Sequence, residues 1–222
     1  MSFGPIMQFM VDGLLIELAP FSKDSMKEFV SPGMQQYSVL RYLGMTTAYT
    51  LEDEEEWYDR LRKDKERLVW GIWVVDGNER IIIGNTALTE IERGHVLQAT
   101  SGSMIFRTEY WGRGIASAAH KARTWYAFHY LGLHRIKSAV LHGNHASLKA
   151  LTHSGYTLVY TERNEKFVEG SLTHLDCLEC LNPREPFWSQ WWHGDRPSKA
   201  QQVAWAKTEQ VLAWAEENVT LP

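Results

Sequence analysis

Two glycines, Gly112 and Gly114, stand at the expected junction of a strand and a helix. Upstream, residues 103–106 form a short apolar segment. Downstream, residues 116–130 are rich in alanine and long side chains, and Gly132 follows as a helix stop. A glycine-rich turn that opens a helix presents unpaired backbone amides beside the positive end of the helix dipole. The turn therefore predicts a phosphate-binding site.

Three kinds of phosphate-binding turn can be compared with residues 111–116. A nucleoside triphosphatase loop requires Gly-x-x-x-x-Gly-Lys-Ser/Thr, which the chain does not contain. A dinucleotide fingerprint requires a third glycine and an acidic ribose partner, and both are missing. The third kind is the acyl-CoA diphosphate turn, Arg/Gln-x-x-Gly-x-Gly/Ala, which Trp-Gly-Arg-Gly-Ile-Ala matches in outline. Two glycines alone are equally compatible with an ordinary tight turn.

A second motif follows at a fixed interval. Residues 134–141 are expected to form a strand that leads into Asn144 and Ser147 at the start of a short helix, which ends at Gly155 and Tyr156. With both motifs present, the chain resembles the GNAT superfamily of N-acetyltransferases, and most closely its RimJ/RimL type. The resemblance covers roughly residues 10–182. Two linked motifs are much more specific than one.

The resemblance implies an α/β (α+β) fold of the GNAT type. Its central sheet is mixed but mostly antiparallel, with flanking helices. The sheet is splayed between its fourth strand, expected at residues 99–106, and its fifth strand, expected at 135–141. Acyl-CoA is expected to insert there, so acetyl-CoA is the implied co-substrate and no metal is required. We expect an acetyltransferase domain over residues 1–182 and a Trp-rich C-terminal extension with an amphipathic helix over 183–222.

The resemblance also assigns the residues that bind acetyl-CoA. A backbone amide of the fourth strand, at Ile105 or Phe106, is expected to donate to the oxyanion. The turn is expected to hold the diphosphate through the backbone of Trp111, Gly112, Arg113, Gly114, Ile115 and Ala116. The Arg113 side chain either adds a positive charge to this site or is an ordinary solvated arginine.

Asn144 and Ser147 are the expected catalytic residues of the second motif. Many members of the superfamily carry a tyrosine where this chain has Leu151, whereas RimL-type members place a serine three residues after the Asn. Ser147 is therefore expected to donate a proton to the departing thiolate, and Asn144 to bind pantetheine or the amine. The alternative for Asn144 is that it only caps the helix.

The general base is left open between four residues. Ser101 and Lys166 occupy positions at which an acidic residue is expected in ribosomal-protein acetyltransferases. The remaining candidates are Glu90 and Glu92 beside the third strand, His142 at the end of the fifth, and Asp176 in the last strand. His142 is preferred, because it lies two residues before Asn144.

Composition narrows the class of protein. A net charge of -4 over 222 residues argues against nucleic acid as a partner. No apolar segment reaches membrane-spanning length, and a secretory signal is not recognisable, so we expect a cytoplasmic protein. Cys177 and Cys180 would point to opposite faces of a strand, which disfavours a metal or redox site. The acidic residues 53–56 are expected to form a first helical turn or, alternatively, to attract a cationic substrate.

The C-terminal extension departs from the family pattern. Four aromatic residues follow the break at residues 183–186, and residues 198–218 are expected to form a helix with Val203, Val211, Trp214 and Ala215 on one side. Three roles are open for this segment: it packs on its own domain, it mediates a homodimer contact, or it covers the acceptor pocket.

Three functions remain as hypotheses. The first is acetylation of a protein or peptide N-terminal α-amine by direct transfer, without an acyl-enzyme. The second is acetylation of a small amine, such as a polyamine or an aminoglycoside. The third is a non-catalytic acyl-CoA-binding module that works through its Trp-rich extension.

Overall fold

A computed structural model describes residues 2–222 of the chain. The strands form one sheet in the order β1-β2-β3-β4-β5-β6-β8-β7, and every neighbouring pair is antiparallel except β5 and β6. The strands are β1 (Met7–Val11), β2 (Leu14–Ala19), β3 (Leu68–Asp76), β4 (Glu79–Glu92), β5 (Gln98–Ile105), β6 (Arg135–Leu141), β7 (Thr157–Val168) and β8 (Ser171–Leu181).

The helices cover both faces of this sheet. They are α1 (Met26–Glu28), α2 (Tyr37–Leu43), α3 (Leu51–Leu61), α4 (Ile115–His129), α5 (His145–His153), α6 (Phe187–Gln190) and α7 (Lys199–Asn218). Single 3-10 turns lie at Lys23–Ser25 and Thr108–Tyr110, and a π-helical turn at Phe29–Met34. Within residues 2–222, no helix has the length and apolar character needed to cross a membrane.

The predicted α/β fold with a mixed, mostly antiparallel sheet is confirmed, with one additional strand. The strand expected as the fourth, at residues 99–106, is the fifth, because β1 precedes β2 and turns into it through Asp12 and Gly13, both at positive φ. Only Met7 and Phe9 of β1 are buried, which is too short an alternation to recognise. The predicted fourth and fifth strands are therefore β5 and β6.

Two hydrophobic clusters lie on opposite faces of the sheet. The larger contains the inward side of α4, where Ala118, Ala119 and Ala122 allow the helix to approach the strands closely. The smaller contains Phe21, Phe29 and Phe106 beneath the N-terminal helices. The sheet is therefore covered on both faces, and its interior is accessible only where neighbouring strands separate.

The acidic run at residues 53–56 is used to build α3. Asp53 forms a capping box with Thr50, Glu55 pairs with Lys23, and Glu56 pairs with Arg60. Glu54 is buried. The helix ends at Leu61 rather than near residue 66, as the sequence had suggested. Of the two interpretations of this run, the first helical turn is the one that the contacts support.

The C-terminal extension packs back on the rest of the chain. Leu212, Ala215 and Val219 belong to the larger cluster, and Trp214 contacts the ring of Phe9 at 5.9 Å between centroids. Thr220 then exchanges two backbone hydrogen bonds of 2.9 Å with Gln8 of β1. Of the residues predicted on one side of α7, Val211 and Ala215 are buried, whereas Val203, near the start of the helix, is 49% exposed.

The two cysteines lie in different environments. Cys180 is fully buried beside Thr208 of α7, and burial raises the pKa of its thiol to about 12. Cys177 is half-buried, and both thiols are free. Among residues 2–222, no group of three or more His, Cys, Asp or Glu side chains could hold a metal ion.

Glu54 provides a pH-dependent test of α3. Burial, and secondarily the Asp53 charge, raises its pKa from 4.5 to about 7. The folded protein then retains a proton that the unfolded chain releases, so stability falls as pH rises from 4.5 to 7. Glutamine carries no proton to lose, so Glu54→Gln removes the cost of ionising the buried carboxyl at pH 8. Because solvent reduces that cost, we expect the variant to raise the unfolding free energy at pH 8 by about 1–2 kcal/mol. The gain should vanish at pH 4. Urea titrations at both pH values measure it, with the exposed Glu56→Gln as control.

Gly155 tests the docking of α7 against the end of α5. Its φ is +87°, and a Cβ there would lie 2.0 Å from Thr208 Oγ1 and 3.1 Å from Thr208 Cα. Strain and overpacking together should make Gly155→Ala lose about 2–5 kcal/mol in urea denaturation. Gly132→Ala is the matched control, since Gly132 has φ +64° with no atom within 4 Å. That variant should lose about 1–2 kcal/mol. Equal losses would contradict the packing of Thr208 on Gly155.

Candidate functional site

The parallel strands β5 and β6 separate partway along their length. They pair from Gln98 with Arg135 to Ser101 with Ser138, and no later pair is formed between them. Beyond this point β5 continues to Ile105 beside β4, and β6 continues to Leu141 beside β8. The result is a wedge between the two strands, at the position where the sequence predicted the splay. Backbone groups on both sides of the wedge lack a partner strand there.

The point of separation, which we call the fork, is held by buried hydrogen bonds. Ser138 Oγ donates to the Ser101 carbonyl at 3.2 Å, and Ser101 Oγ lies 3.3 Å from Tyr156 Oη. One residue further, the Gly102 carbonyl accepts from Arg123 Nη1 at 3.0 Å. These contacts fix where pairing ends, because they satisfy polar groups that would otherwise be buried without partners.

Arg123 of α4 is completely buried and was not singled out in the sequence. Its second terminal nitrogen contacts His120 Nδ1 at 2.7 Å, and its first contacts Thr86 Oγ1 at 2.5 Å. Burial, and then the Arg123 charge, hold the pKa of His120 well below 6.5, so this imidazole is neutral. Burial likewise raises the pKa of Tyr156. The Arg123 charge is therefore surrounded by neutral groups. The sequence signal was an arginine within an alanine-rich stretch.

On β5, the Ile105 amide is available and the Phe106 amide is not. Phe106 donates its N–H to the Ile83 carbonyl at 2.9 Å. Since backbone groups alternate between the two neighbours of a strand, this bond directs the N–H and C=O of Ile105 toward the wedge. The Ile105 carbonyl accepts from the Trp111 indole at 2.8 Å. Of the two predicted oxyanion donors, only Ile105 faces the open side.

The glycine turn presents free amides at the start of α4. Gly112 and Gly114 have φ of +76° and +80°, and Gly114 is the N-cap. Among residues 2–222, no acceptor pairs with the amides of residues 112–117. A Cβ on Gly112 would meet no atom within 4 Å, so there is space above the turn. The Trp111 amide, by contrast, donates to Thr108. The turn thus fits a diphosphate through the predicted Gly112, Arg113, Gly114, Ile115 and Ala116.

The Arg113 side chain is neither free nor simply solvated. Its Nε lies 2.6 Å from Asp12 Oδ2, in the turn between β1 and β2. The pair is partly exposed, with 35% of the Arg113 side chain and 54% of the Asp12 side chain accessible. An anion at the turn would therefore compete with Asp12 for the guanidinium.

Asn144 and Ser147 lie directly beyond the end of β6. The Asn144 side chain accepts from the Ser147 amide at 3.2 Å, which is an N-cap of α5. The capping interpretation is therefore correct as far as the Asn144 oxygen is concerned. Its amide nitrogen and the Ser147 hydroxyl have no partner among residues 2–222. Leu151, at the position of the family tyrosine, is buried in the core.

Two of the four candidate bases form a pair at the mouth of the wedge. His142 Nδ1 lies 3.0 Å from Asp176 Oδ2, and Thr161 Oγ1 donates to Asp176 Oδ1 at 2.9 Å. The His142 side chain is 63% exposed, whereas that of Asp176 is 9% exposed. Asp176 thus orients the imidazole and leaves Nε2 without a partner among residues 2–222. The sequence named both residues but contained no sign that they meet.

The other predicted positions lie elsewhere. Glu92 is opposite Gln98 at the start of β5, about 23 Å along the strand from Ile105. Glu90 accepts from Thr100 in the same region. Ser101 belongs to the fork, and Lys166 lies beside Gly44 at the end of α2. Glu92 is therefore remote from the wedge, whereas Glu90 contacts the residue before the fork, about 17 Å along β5 from Ile105.

Comparisons with known proteins agree with this geometry. The family described as "Acetyltransferase (GNAT) domain" matches residues 16–157. A probable N-acetyltransferase of Bacillus subtilis (strain 168), YjcK, is 30% identical over 153 residues, which cover 67% of this chain and 81% of the relative.

Two solved structures are similar in fold. A Mycobacterium smegmatis RimJ in complex with CoA-disulfide has a TM-score of 0.70 at 17% identity, covering 91% of this chain and 94% of that one. A Vibrio cholerae spermidine N-acetyltransferase in complex with CoA and spermine has a TM-score of 0.67 at 18% identity, covering 75% and 95%. Together with the matched family and the B. subtilis relative, the wedge and the glycine turn establish that this chain belongs to the GNAT family of N-acetyltransferases.

Proposed function

We propose that this protein transfers the acetyl group of acetyl-CoA directly to a primary amine, and that the acceptor is the N-terminal α-amine of a protein or peptide. The observation that carries the proposal is the wedge between β5 and β6. Ile105 faces it from β5, while Asn144, Ser147 and His142 follow the end of β6. The glycine turn follows β5 in the chain, after Ile105.

Each group has a role in this reaction. Bound acetyl-CoA supplies the activated thioester. The amides of residues 112–116 bind the diphosphate, and the Ile105 amide donates to the thioester carbonyl oxygen as negative charge develops there. His142 Nε2 accepts the proton that the amine loses as it forms the new bond. Ser147 donates to the sulfur as the carbon–sulfur bond breaks, and the Asn144 amide nitrogen binds pantetheine or the amine.

The surface beside His142 favours a large acceptor. The β7–β8 hairpin, which carries Asp176, exposes a group of apolar side chains: Leu158, Tyr160, Phe167 and Leu172 are each 55–60% exposed. β7 is also an edge strand of the sheet, so it can pair with an extended chain. An extended peptide could use both features, whereas a small amine needs neither. The fold similarity to RimJ supports the same acceptor and a RimJ/RimL-like assignment.

A polyamine is the second candidate acceptor. The fold is also similar to that of a spermidine N-acetyltransferase, and the chain carries a net charge of -4. Glu162 and Glu165 of β7 could attract a cationic amine to the mouth of the wedge. This candidate differs from the first in needing no peptide backbone.

The proposal extends to the setting of the enzyme. We infer a cytoplasmic protein, because Cys177 and Cys180 are unpaired thiols. The exposed edge of β7 also supports a homodimer as an alternative use of the same surface. The division into an acetyltransferase domain, residues 1–182, and an extension, 183–222, is proposed with it.

Thiol release from acetyl-CoA across a panel of amines tests the activity and the acceptor together. The panel contains peptides with free and blocked N-termini, spermidine, an aminoglycoside and a blank. We expect turnover with free N-termini. His142→Gln should lower kcat/KM about 10²–10⁴-fold, and Ser147→Ala should lower kcat without changing the Kd for CoA. His95→Gln is the matched control, since His95 is an exposed histidine in the turn between β4 and β5, at the other end of β5 from Ile105. Release at the blank level throughout, with CoA bound, would instead support a non-catalytic acyl-CoA-binding module.

Asp12→Asn tests the diphosphate site separately from catalysis. Removing the carboxylate frees Arg113 and eliminates a repulsive charge, so we expect the Kd for CoA to fall about 3–10-fold in calorimetry. Asparagine tolerates the φ of +51° at this position, so the backbone should be unchanged. Arg113→Gln should weaken CoA binding, and Asp12→Asn should have a smaller effect in that background, where only the loss of the repulsive charge remains. An unchanged or weaker affinity of Asp12→Asn would exclude Arg113 from the diphosphate site.

A further inference from the structure

A cavity lies within the C-terminal extension, between residues 183–188 and the start of α7. Its volume is about 260 Å³, and its walls are Pro183, Glu185, Trp188, Pro197, Gln202 and Trp205. The indoles of Trp188 and Trp205 form two of these walls, with ring centroids 6.2 Å apart and planes inclined by 46°. Two inclined aromatic faces and two prolines make a compact apolar recess.

One charged residue belongs to this lining. The Glu185 carboxylate accepts from the Ser189 amide and hydroxyl through Oε2, and its Oε1 has no partner among residues 2–222. The Arg184 guanidinium is directed elsewhere, to Glu216 at 3.0 Å and His129 at 2.9 Å. The cavity therefore combines two indole rings with one carboxylate, which is an environment suited to a cation.

The first turn of α7 is capped by its own side chains. Ser198 Oγ accepts from the Gln201 amide at 3.3 Å, and the Gln201 side chain accepts from the Ser198 amide at 2.9 Å. Gln202 donates to the Pro197 carbonyl at 2.9 Å, and Trp205 Nε1 donates to the Pro183 carbonyl at 3.1 Å. Among residues 2–222, the side-chain atoms of the lining without a hydrogen-bond partner are Glu185 Oε1, Trp188 Nε1 and Gln202 Oε1.

The cavity is separate from the acetyl-CoA wedge. Pro183 follows β8, whose last residue Leu181 pairs with Arg135 at the start of β6. The wedge opens at the other end of β6, beside Leu141, which is about 20 Å away along the strand. A molecule in the cavity is therefore not placed for acetylation.

We propose that this cavity binds an alkylated ammonium ion, such as a choline-like or methylated-amine group, as a second, non-catalytic site. The alkyl groups contact the indole faces and the prolines, while Glu185 balances the charge. Compact quaternary ammonium groups fit such a recess because they are weakly hydrated and present apolar surface in every direction. The proposal does not depend on the identity of the acetyl acceptor.

Titration of the full chain with choline, followed by NMR of the tryptophan indole N–H groups, tests this site. We expect saturable shifts of the Trp188 and Trp205 signals, which single Trp→Leu variants identify. Trp205→Leu should weaken binding about tenfold or more, and the isosteric Glu185→Gln about 3–10-fold. Trp191→Leu is the control, because Trp191 lies over Arg135 instead, and it should bind choline normally.

The neutral isostere 3,3-dimethyl-1-butanol separates a cation site from a merely apolar one. It has the shape of choline without the charge, so it should bind at least tenfold more weakly. Equal affinity of the two molecules would overturn the proposal, as would the absence of saturable shifts with choline. An unchanged affinity of Glu185→Gln would remove the carboxylate from the site.

Discussion

The structure depends on the end of backbone pairing between β5 and β6. Parallel pairing stops after Ser101 and Ser138, and both strands then follow their outer neighbours. Unpaired backbone groups inside a sheet are costly unless a ligand or solvent satisfies them, so a wedge persists only if its fork is held in place. Here the fork is held by Ser138, Tyr156 and Arg123. A buried arginine surrounded by neutral groups costs stability, which is understandable where it fixes the geometry of a site.

The helix α4 connects the two ends of this site. Its N-terminus carries the free amides of the glycine turn, and Arg123, about 13 Å further along the axis, contacts the Gly102 carbonyl at the fork. A rigid helix therefore sets the distance between the diphosphate turn and the point where the strands separate. α7 packs beside α4, with Leu212 and Ala215 buried, so the extension helps to fix the helix that positions the site.

Local features of the site could be predicted from the sequence, and long-range pairings could not. The positive φ of Gly112 and Gly114 and the cap at Asn144 follow from residue type and spacing, and the sequence located all three. The His142–Asp176 pair joins residues 34 apart through the register of β6 and β8, and Arg113 meets Asp12 across 101 residues. No periodicity encodes such pairings. β1 was missed for a related reason, since a short strand is defined mainly by its partner, β2.

The extension divides into two parts with different physical roles. From Thr208 to Val219 its inward side chains are buried, and Thr220 adds a bridge to β1, so this part completes the core. From Pro183 to Trp205 the chain lies outside the core, yet it contains Trp188, Trp192 and Trp205, which contact one another. This part is also tied to the rest of the chain, because Trp205 Nε1 donates to the Pro183 carbonyl, and Phe187 and Trp191 contact His134 and Arg135. The proposed ligand would occupy the recess that Trp188 and Trp205 line beside Glu185, and it would bind there without disturbing the wedge at the other end of β6.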